Sequence, residues 1–256
     1  MIEINTIEKS FEEKKVLKGI STTFKTGETN LIIGESGSGK TVLMQCIVGL
    51  LTPEKGEVKY DHRDLLKMGK LETQKLRREM GMLFQSAALF DSMTVLENVM
   101  FPLNMFSDKT LREQTRRALT CLDRVNLKGA DTKFPGEISG GMQKRVAIAR
   151  AIALNPHYLF CDEPNSGLDP KTSLVIDALI HEITKEYGMT TIINTHDMNS
   201  VMSIGENILF INKGKNEWEG SKENILSSNN KKLNSFIFAS DLFKKVKEIE
   251  VNQVKE

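Results

Sequence analysis

The sequence predicts an α/β domain on a mainly parallel core sheet, and three stretches predict it. Leu31, Ile32 and Ile33 form a short apolar run that enters Gly34-Glu-Ser-Gly-Ser-Gly-Lys-Thr41 and continues into TVLMQCIVGL, the order strand, glycine-rich loop, helix. His157-Tyr-Leu-Phe-Cys-Asp162-Glu163 is a second apolar run that stops at two carboxylates. The β-branched run TTIINT likewise stops at His196 and Asp197. In such sheets the chemistry gathers beyond the carboxyl ends of the strands.

Taken in chain order, residues 1–30 hold short alternating runs around Ile2, Ile4, Val16 and Leu17, which suit an antiparallel sheet beside the core. Residues 31–85 and 155–212 are expected to supply the parallel core, with a helix over Thr41 to Leu50. Between them, from about 86 to 154, LREQTRRALTCLDRV and the VAIARAIAL run that follows the good helix cap Ser139 predict a mostly helical subdomain. After Gly220 a polar Ser/Asn junction precedes Leu233, Phe236, Ile237, Leu242, Phe243, Val246 and Ile249 at largely helical spacing. The expected division is therefore a main domain over 1–225 and a C-terminal helical extension over 226–256.

Composition narrows the function. A chain of 256 residues with 39% hydrophobic side chains can bury the core of one large α/β domain or two small ones. With 35 Lys plus Arg against 34 Asp plus Glu, a net charge of +1 gives no global field to draw nucleic acid or an anionic membrane. The first residues carry no apolar run of the signal-peptide kind, and no segment approaches the roughly 18 apolar residues that span a bilayer, so a soluble or peripheral protein is expected. Cys46, Cys121 and Cys161 lack CxxC spacing and read as reduced core residues.

The glycine-rich loop fits GxxxxGK[ST], and its strand and helix context favours a phosphate cradle over a flexible turn. Gly34, Gly37 and Gly39 let the backbone curl so that N–H groups and the helix N-terminus point at phosphate oxygens. Lys40 then reaches the β and γ phosphates, and the Thr41 hydroxyl takes one position on Mg²⁺. Asp162 would face that Mg²⁺ through a water, and Glu163 would polarise the attacking water as general base. Taken alone, the two acids could simply open a solvated loop. Ser139, Gly140 and Gly141 offer a second helix N-terminus suited to phosphate. One nucleotide needs one cradle, so the second points to a nucleotide held by another copy of the chain.

These stretches resemble the nucleotide-binding subunit of ABC transporters over about residues 1 to 225. GESGSGKT resembles the Walker A loop, YLFCDE the Walker B strand and ISGGMQ the signature motif, usually LSGGQ. The resemblance implies an ABC-type P-loop NTPase fold with a helical subdomain, and ATP and Mg²⁺ as ligands. It implies that Gly34, Glu35, Ser36, Gly37, Ser38, Gly39, Lys40 and Thr41 hold the nucleotide, with Phe11 stacking on adenine. Gln85 matches the Q-loop glutamine, which serves the metal and catalysis, Ser166 to Asp169 the D-loop, and His196 the switch histidine at the γ-phosphate. Two copies would pair head to tail, so that Ser139, Gly140 and Gly141 act in trans and Asp169 belongs to the same nucleotide-binding set. From the residues alone, Phe11 could instead pack inward and His196 could merely cap the following helix.

One departure refines the likeness. Met142 stands where the signature usually has Gln, a form shared with the ATPases of Mla-type lipid transporters, which work with MCE-domain proteins. The stretch LFQSAALFDSMTVLENV, residues 83–99, also resembles those ATPases. It follows the Q-loop, where the family accepts a helix of its membrane permease, and Leu89, Phe90 and Met93 are the expected groove lining. The alternative is that they fill the helical subdomain's own core. The implied function is ATP hydrolysis powering phospholipid transport between envelope membranes, at the cytoplasmic face of the bacterial inner membrane. Another cargo, such as lipoproteins or amino acids, is the alternative. A non-transport ATPase acting on DNA or ribosomes would carry long coiled-coil insertions or a second cassette, and nucleic acid is not an expected partner.

Overall fold

The computed structural model describes residues 1–238. Ten strands form two sheets among these residues. A four-stranded antiparallel sheet contains β1 (Ile2–Phe11), β2 (Lys14–Phe24), β4 (Lys55–Tyr60) and β5 (Arg63–Asp64) in the order β2-β1-β4-β5. A six-stranded sheet runs β10-β9-β3-β8-β7-β6, from β3 (Thr29–Ile33), β6 (Met80–Leu83), β7 (Tyr158–Asp162), β8 (Thr190–Thr195), β9 (Asn207–Asn212) and β10 (Lys215–Gly220). Every pairing in it is parallel except the edge pair β9 and β10.

The strands alternate between two cores, which is why they read as continuous apolar runs. Leu31, Ile33, Leu159, Cys161 and Ile193 face one cluster, while Ile32, Phe160 and Ile192 face the other. The second cluster also takes Ile2, Leu17, Val58 and Tyr60 from the antiparallel sheet, and Leu43 and Ile47 from α1 (Lys40–Ile47). Helix α1 is thus clamped between the sheets, and this fixes the glycine-rich loop at its start. All three cysteines are buried and free.

Two boundaries depart from expectation. Residues 55–64, assigned with 31–85 to the parallel core, instead pair antiparallel with β1 through Ile2 with Tyr60 and Ile4 with Val58. Only alternate side chains of β4 turn inward, the pattern of a sheet with one wet face. Helix α1 stops three residues before Leu50, because Gly49 turns left-handed at φ +72° and donates to the Cys46 carbonyl.

The helical subdomain packs α3 (Val95–Phe106), α4 (Leu111–Arg124) and α5 (Gly140–Ala151) together. Thr94 with Glu97 and Thr110 with Glu113 form capping boxes that start α3 and α4. A helix α2 (Lys70–Arg78) precedes β6, and α6 (Pro170–Tyr187) and α7 (Met198–Ile204) flank the parallel sheet. In the C-terminal segment Asn230 caps α8 (Lys231–Ile237), whose Leu233 and Ile237 are buried and whose Phe236 ring lies 5.4 Å from Phe210. Leu242, Phe243, Val246 and Ile249 lie outside the described residues. Among the described residues no helix is long and apolar enough to cross a membrane.

Candidate nucleotide site

A cleft of about 1390 Å³ opens at the carboxyl ends of the parallel strands. Glu35, Ser36, Gly37, Gly39, Lys40 and Thr41 line one side, and Gln85, Glu163, Ser166 and His196 the other. Gly34, Gly37 and Gly39 all have left-handed φ values, +151°, +76° and +112°. At Gly34 a Cβ would sit 2.2 Å from the Ile211 carbonyl oxygen, so only glycine fits the start of the curl. Lys40 is 7% exposed and its ammonium donates to the carbonyls of Gly34 and Glu35, at 2.8 and 3.2 Å. Burial pulls its pKa down, and the charges of Glu163 and Asp162 oppose that shift. A phosphate would return the negative charge this buried cation lacks.

Across the loop, Thr41 Oγ1 donates to Asp162 Oδ1 at 3.4 Å. The same carboxylate oxygen accepts from Asn194 Nδ2 at 3.0 Å, the two residues being partners in the β7–β8 register. One hydroxyl and one carboxylate facing the phosphate cradle fit a Mg²⁺ ion that keeps phosphate and water as its other ligands. When bound, ATP and Mg²⁺ would supply a polarised γ-phosphoryl group. Glu163 follows with a left-handed φ of +49°, which turns its side chain into the cleft, where Oε2 lies 2.8 Å from His196 Nδ1. Helix α7 is capped by Asp197, so His196 is left for the cleft.

Gln85 is exposed and donates from Nε2 to Ser166 Oγ at 3.1 Å, joining the segment after β6 to the loop after β7. Ser139 caps α5 by accepting from Met142 N, and Ser139, Gly140 and Gly141 do not line the cleft. Asp169 caps α6 by accepting from Thr172 N at 3.0 Å and also stands outside the lining. Phe11, 44% exposed at the end of β1, is no core residue, and Lys9 lies 5.6 Å from its ring. It too is outside the lining, whereas Val16 is within it.

Several residues that organise this site were not singled out in the sequence. Lys144 Nζ donates to the Gln85 carbonyl, and Arg150 donates to those of Ala87 and Ala88, at 2.8 and 2.7 Å. Both cations are stripped of water, which pulls their pKa values down. Ala87 and Ala88 are held left-handed at φ +61° and +48° by this clasp. Lys144 and Arg150, cations that flank an apolar VAIA stretch of a helix, were the available signal. Asn98, fully buried, accepts from Phe90 N and donates to the carbonyls of Phe90, Met93 and Thr94. That hub presents Phe90 40% exposed against Phe101, with Leu89 and Met93 half-buried.

With this geometry in place, the comparisons are decisive. The ABC transporter family model matches residues 17–166, more than half of the chain. The chain belongs to the ABC transporter ATPase family. Members of that family bind ATP with Mg²⁺ and hydrolyse it. The chain is 36% identical over 236 residues to the probable ribonucleotide transport ATP-binding protein Mkl of Mycobacterium tuberculosis, covering 92% of this chain but only 66% of that one. It is 35% identical to the intermembrane phospholipid transport ATP-binding protein MlaF of Haemophilus influenzae, over 93% and 90% of the two chains. It is 39% identical to the methionine import ATP-binding protein MetN 1 of Oceanobacillus iheyensis, over 91% and 70%. Among solved structures, the ATP-binding cassette MJ0796, a dimer in a post-hydrolysis state bound to ADP and Pi, superposes with a TM-score of 0.78 at 35% identity, over 87% of this chain and 99% of that one.

Proposed function

We propose that this ABC ATPase chain binds and hydrolyses ATP as one of two copies paired head to tail, and that the pair drives a phospholipid transporter of the bacterial envelope. The observation that carries the chemistry is the convergence on one cleft of Lys40, Thr41, Glu163 and His196, with Asp162 behind Thr41. In this reading the glycine-rich backbone and Lys40 hold the phosphates, and Thr41, Asp162 and Gln85 hold Mg²⁺. Glu163 takes the proton of the attacking water, and His196 keeps its carboxylate aimed. Ser139, Gly140 and Gly141, which do not line their own cleft, serve the nucleotide of the second copy. Phe11 meets the adenine.

The same reading places the chain on the cytoplasmic face of the inner membrane, where a permease helix enters a groove at Leu89, Phe90 and Met93, with an MCE-domain protein in the complex. Support for the lipid cargo comes from SAALFDSMTVLENV and Met142, together with the 35% identity to MlaF over nearly the whole of both chains. The 39% identity to MetN 1 supports methionine import as the second reading. Purifying the full chain from native membranes and identifying its partners by mass separates the two. A permease with an MCE-domain protein is expected; a permease with a methionine-binding protein would overturn the lipid reading.

A further inference from the structure

Behind the catalytic loop lies a buried acid that the reaction does not use. Asp177, on α6, is 1% exposed, and its Oδ1 accepts from Asn165 Nδ2 at 2.8 Å. The same Nδ2 donates to Ser200 Oγ on α7 at 3.1 Å. Two oxygens in this cluster are sealed from solvent and carry no hydrogen bond, Asp177 Oδ2 and Asn165 Oδ1. Two orphaned acceptors on side chains already joined at their other ends lack only one proton between them.

We propose that Asp177, in its protonated form, donates from Oδ2–H to Asn165 Oδ1, closing a reciprocal acid–amide pair that latches the D-loop to α6, and that ionisation opens this latch. The surroundings favour the neutral form. Burial is the largest influence and raises the pKa; the Ser200 and Asn165 hydrogen bonds lower it, Asp197 raises it, and the result is pushed up to about 6. No cation is among the groups acting on Asp177. From β7, Cys161 faces it as a thiol held protonated by burial, with Lys144 of α5 acting on that thiol from nearby. On Asp177's own helix, His181 turns away toward Thr29 and Glu206.

The latch, whose Asn165 and Asp177 are among the residues lining the cleft, reaches the catalytic residues through the loop. Asn165 is followed by Ser166, which receives Gln85, and the Leu168 amide donates back to the Asn165 carbonyl. Holding the Asn165 side chain therefore holds the loop on which Gln85 rests. Asp177 is a positioning residue. When it ionises, the bond to Asn165 Oδ1 is lost and Asp197 adds like-charge repulsion, so the loop loosens as pH rises.

The direct test is a carboxyl-carbon NMR titration of Asp177 in the full chain, assigned by the signal that Asp177→Asn removes. A midpoint near 6 is expected, and a midpoint near 4 overturns the proposal. Asp177→Asn also keeps both hydrogen bonds, since its amide donates permanently where the acid donates only when protonated. Because the native pKa of Asp177 lies above the ordinary 3.8, the native state holds more protons between about pH 4 and 6. Its stabilising contribution is complete below that window and is lost as pH rises through it. Relative to Asp177→Asn, wild-type chain should therefore lose roughly 50-fold in the folding constant between pH 4 and 7. A ratio that does not change with pH overturns the proposal. At pH 7.5, amide exchange across Asn165–Asp169 should be slower in Asp177→Asn than in wild type, and equal or faster exchange contradicts the latch.

Discussion

Glu163 carries the heaviest chemical role assigned to any single side chain, and its left-handed backbone is part of that role, because it turns the carboxylate toward His196 and the cleft. Glu163→Gln keeps the shape and removes the proposed base. ATP binding should persist while turnover falls by roughly 10²–10⁴, as single-turnover hydrolysis by the assembled complex would record; wild-type rates would remove Glu163 from the role. Gly34 makes a different demand, since any Cβ there would overlap the Ile211 carbonyl. Gly34→Ala should destabilise the fold by about 2 kcal/mol or more and weaken nucleotide binding with it, which thermal unfolding and a binding titration on one sample would register. The placing of the phosphate loop and of Glu163 on one cleft was legible because glycine spacing and strand ends are written in the sequence. Asp177 and Asn165 were not, because they are twelve residues apart in ordinary helix and loop sequence and become partners only when α6 folds back over the loop.

Helix α5 joins two tasks. Its first turn carries the signature that we propose serves a second copy, while Lys144 and Arg150, one and three turns further on, clasp the backbone from Gln85 to Ala88. A displacement of the signature would thus be carried to the segment that presents Phe90. Arg150→Met should leave the Ala87 and Ala88 carbonyls without their donor, costing roughly 2–3 kcal/mol in chemical denaturation, and should loosen amide exchange over residues 86–93. An unchanged stability would mean that water replaces the guanidinium without loss. Phe90→Asp tests the groove itself. Its ring is half-covered by Phe101, so a carboxylate there stays wet in the free chain but would be dry beneath a permease helix. The variant should remain folded and bind ATP while association with the permease falls by several kcal/mol, each 1.4 kcal/mol being about tenfold. A folded variant that assembles normally removes Phe90 from the groove. The LREQTRRALTCLDRV periodicity and the Ser139 cap announced α4 and α5 in the sequence, whereas α3 and the capping boxes at Thr94 and Thr110 were not singled out. The membership of β4 and β5 was not announced, since only pairing decides which sheet a strand joins.

At the level of the molecule, the proposed pairing divides each nucleotide site between two copies. The phosphate loop, Asp162, Glu163 and His196 surround the cleft, and Ser139, Gly140 and Gly141 stand clear of it, on a helix start whose N–H groups suit phosphate. In the proposed pairing one chain holds the beginning of one nucleotide site and the end of another; the MJ0796 cassette, to which the chain is similar, is dimeric. The central claim is that ATP is what joins two copies of this chain. Sedimentation of the Glu163→Gln chain with Mg²⁺, with and without ATP, tests it most directly, because the variant should bind nucleotide without consuming it. A monomer without ATP and a dimer with ATP is the expected result, the dimer disappearing when Ser139→Arg is added; a chain that binds ATP and sediments as a monomer would contradict the account.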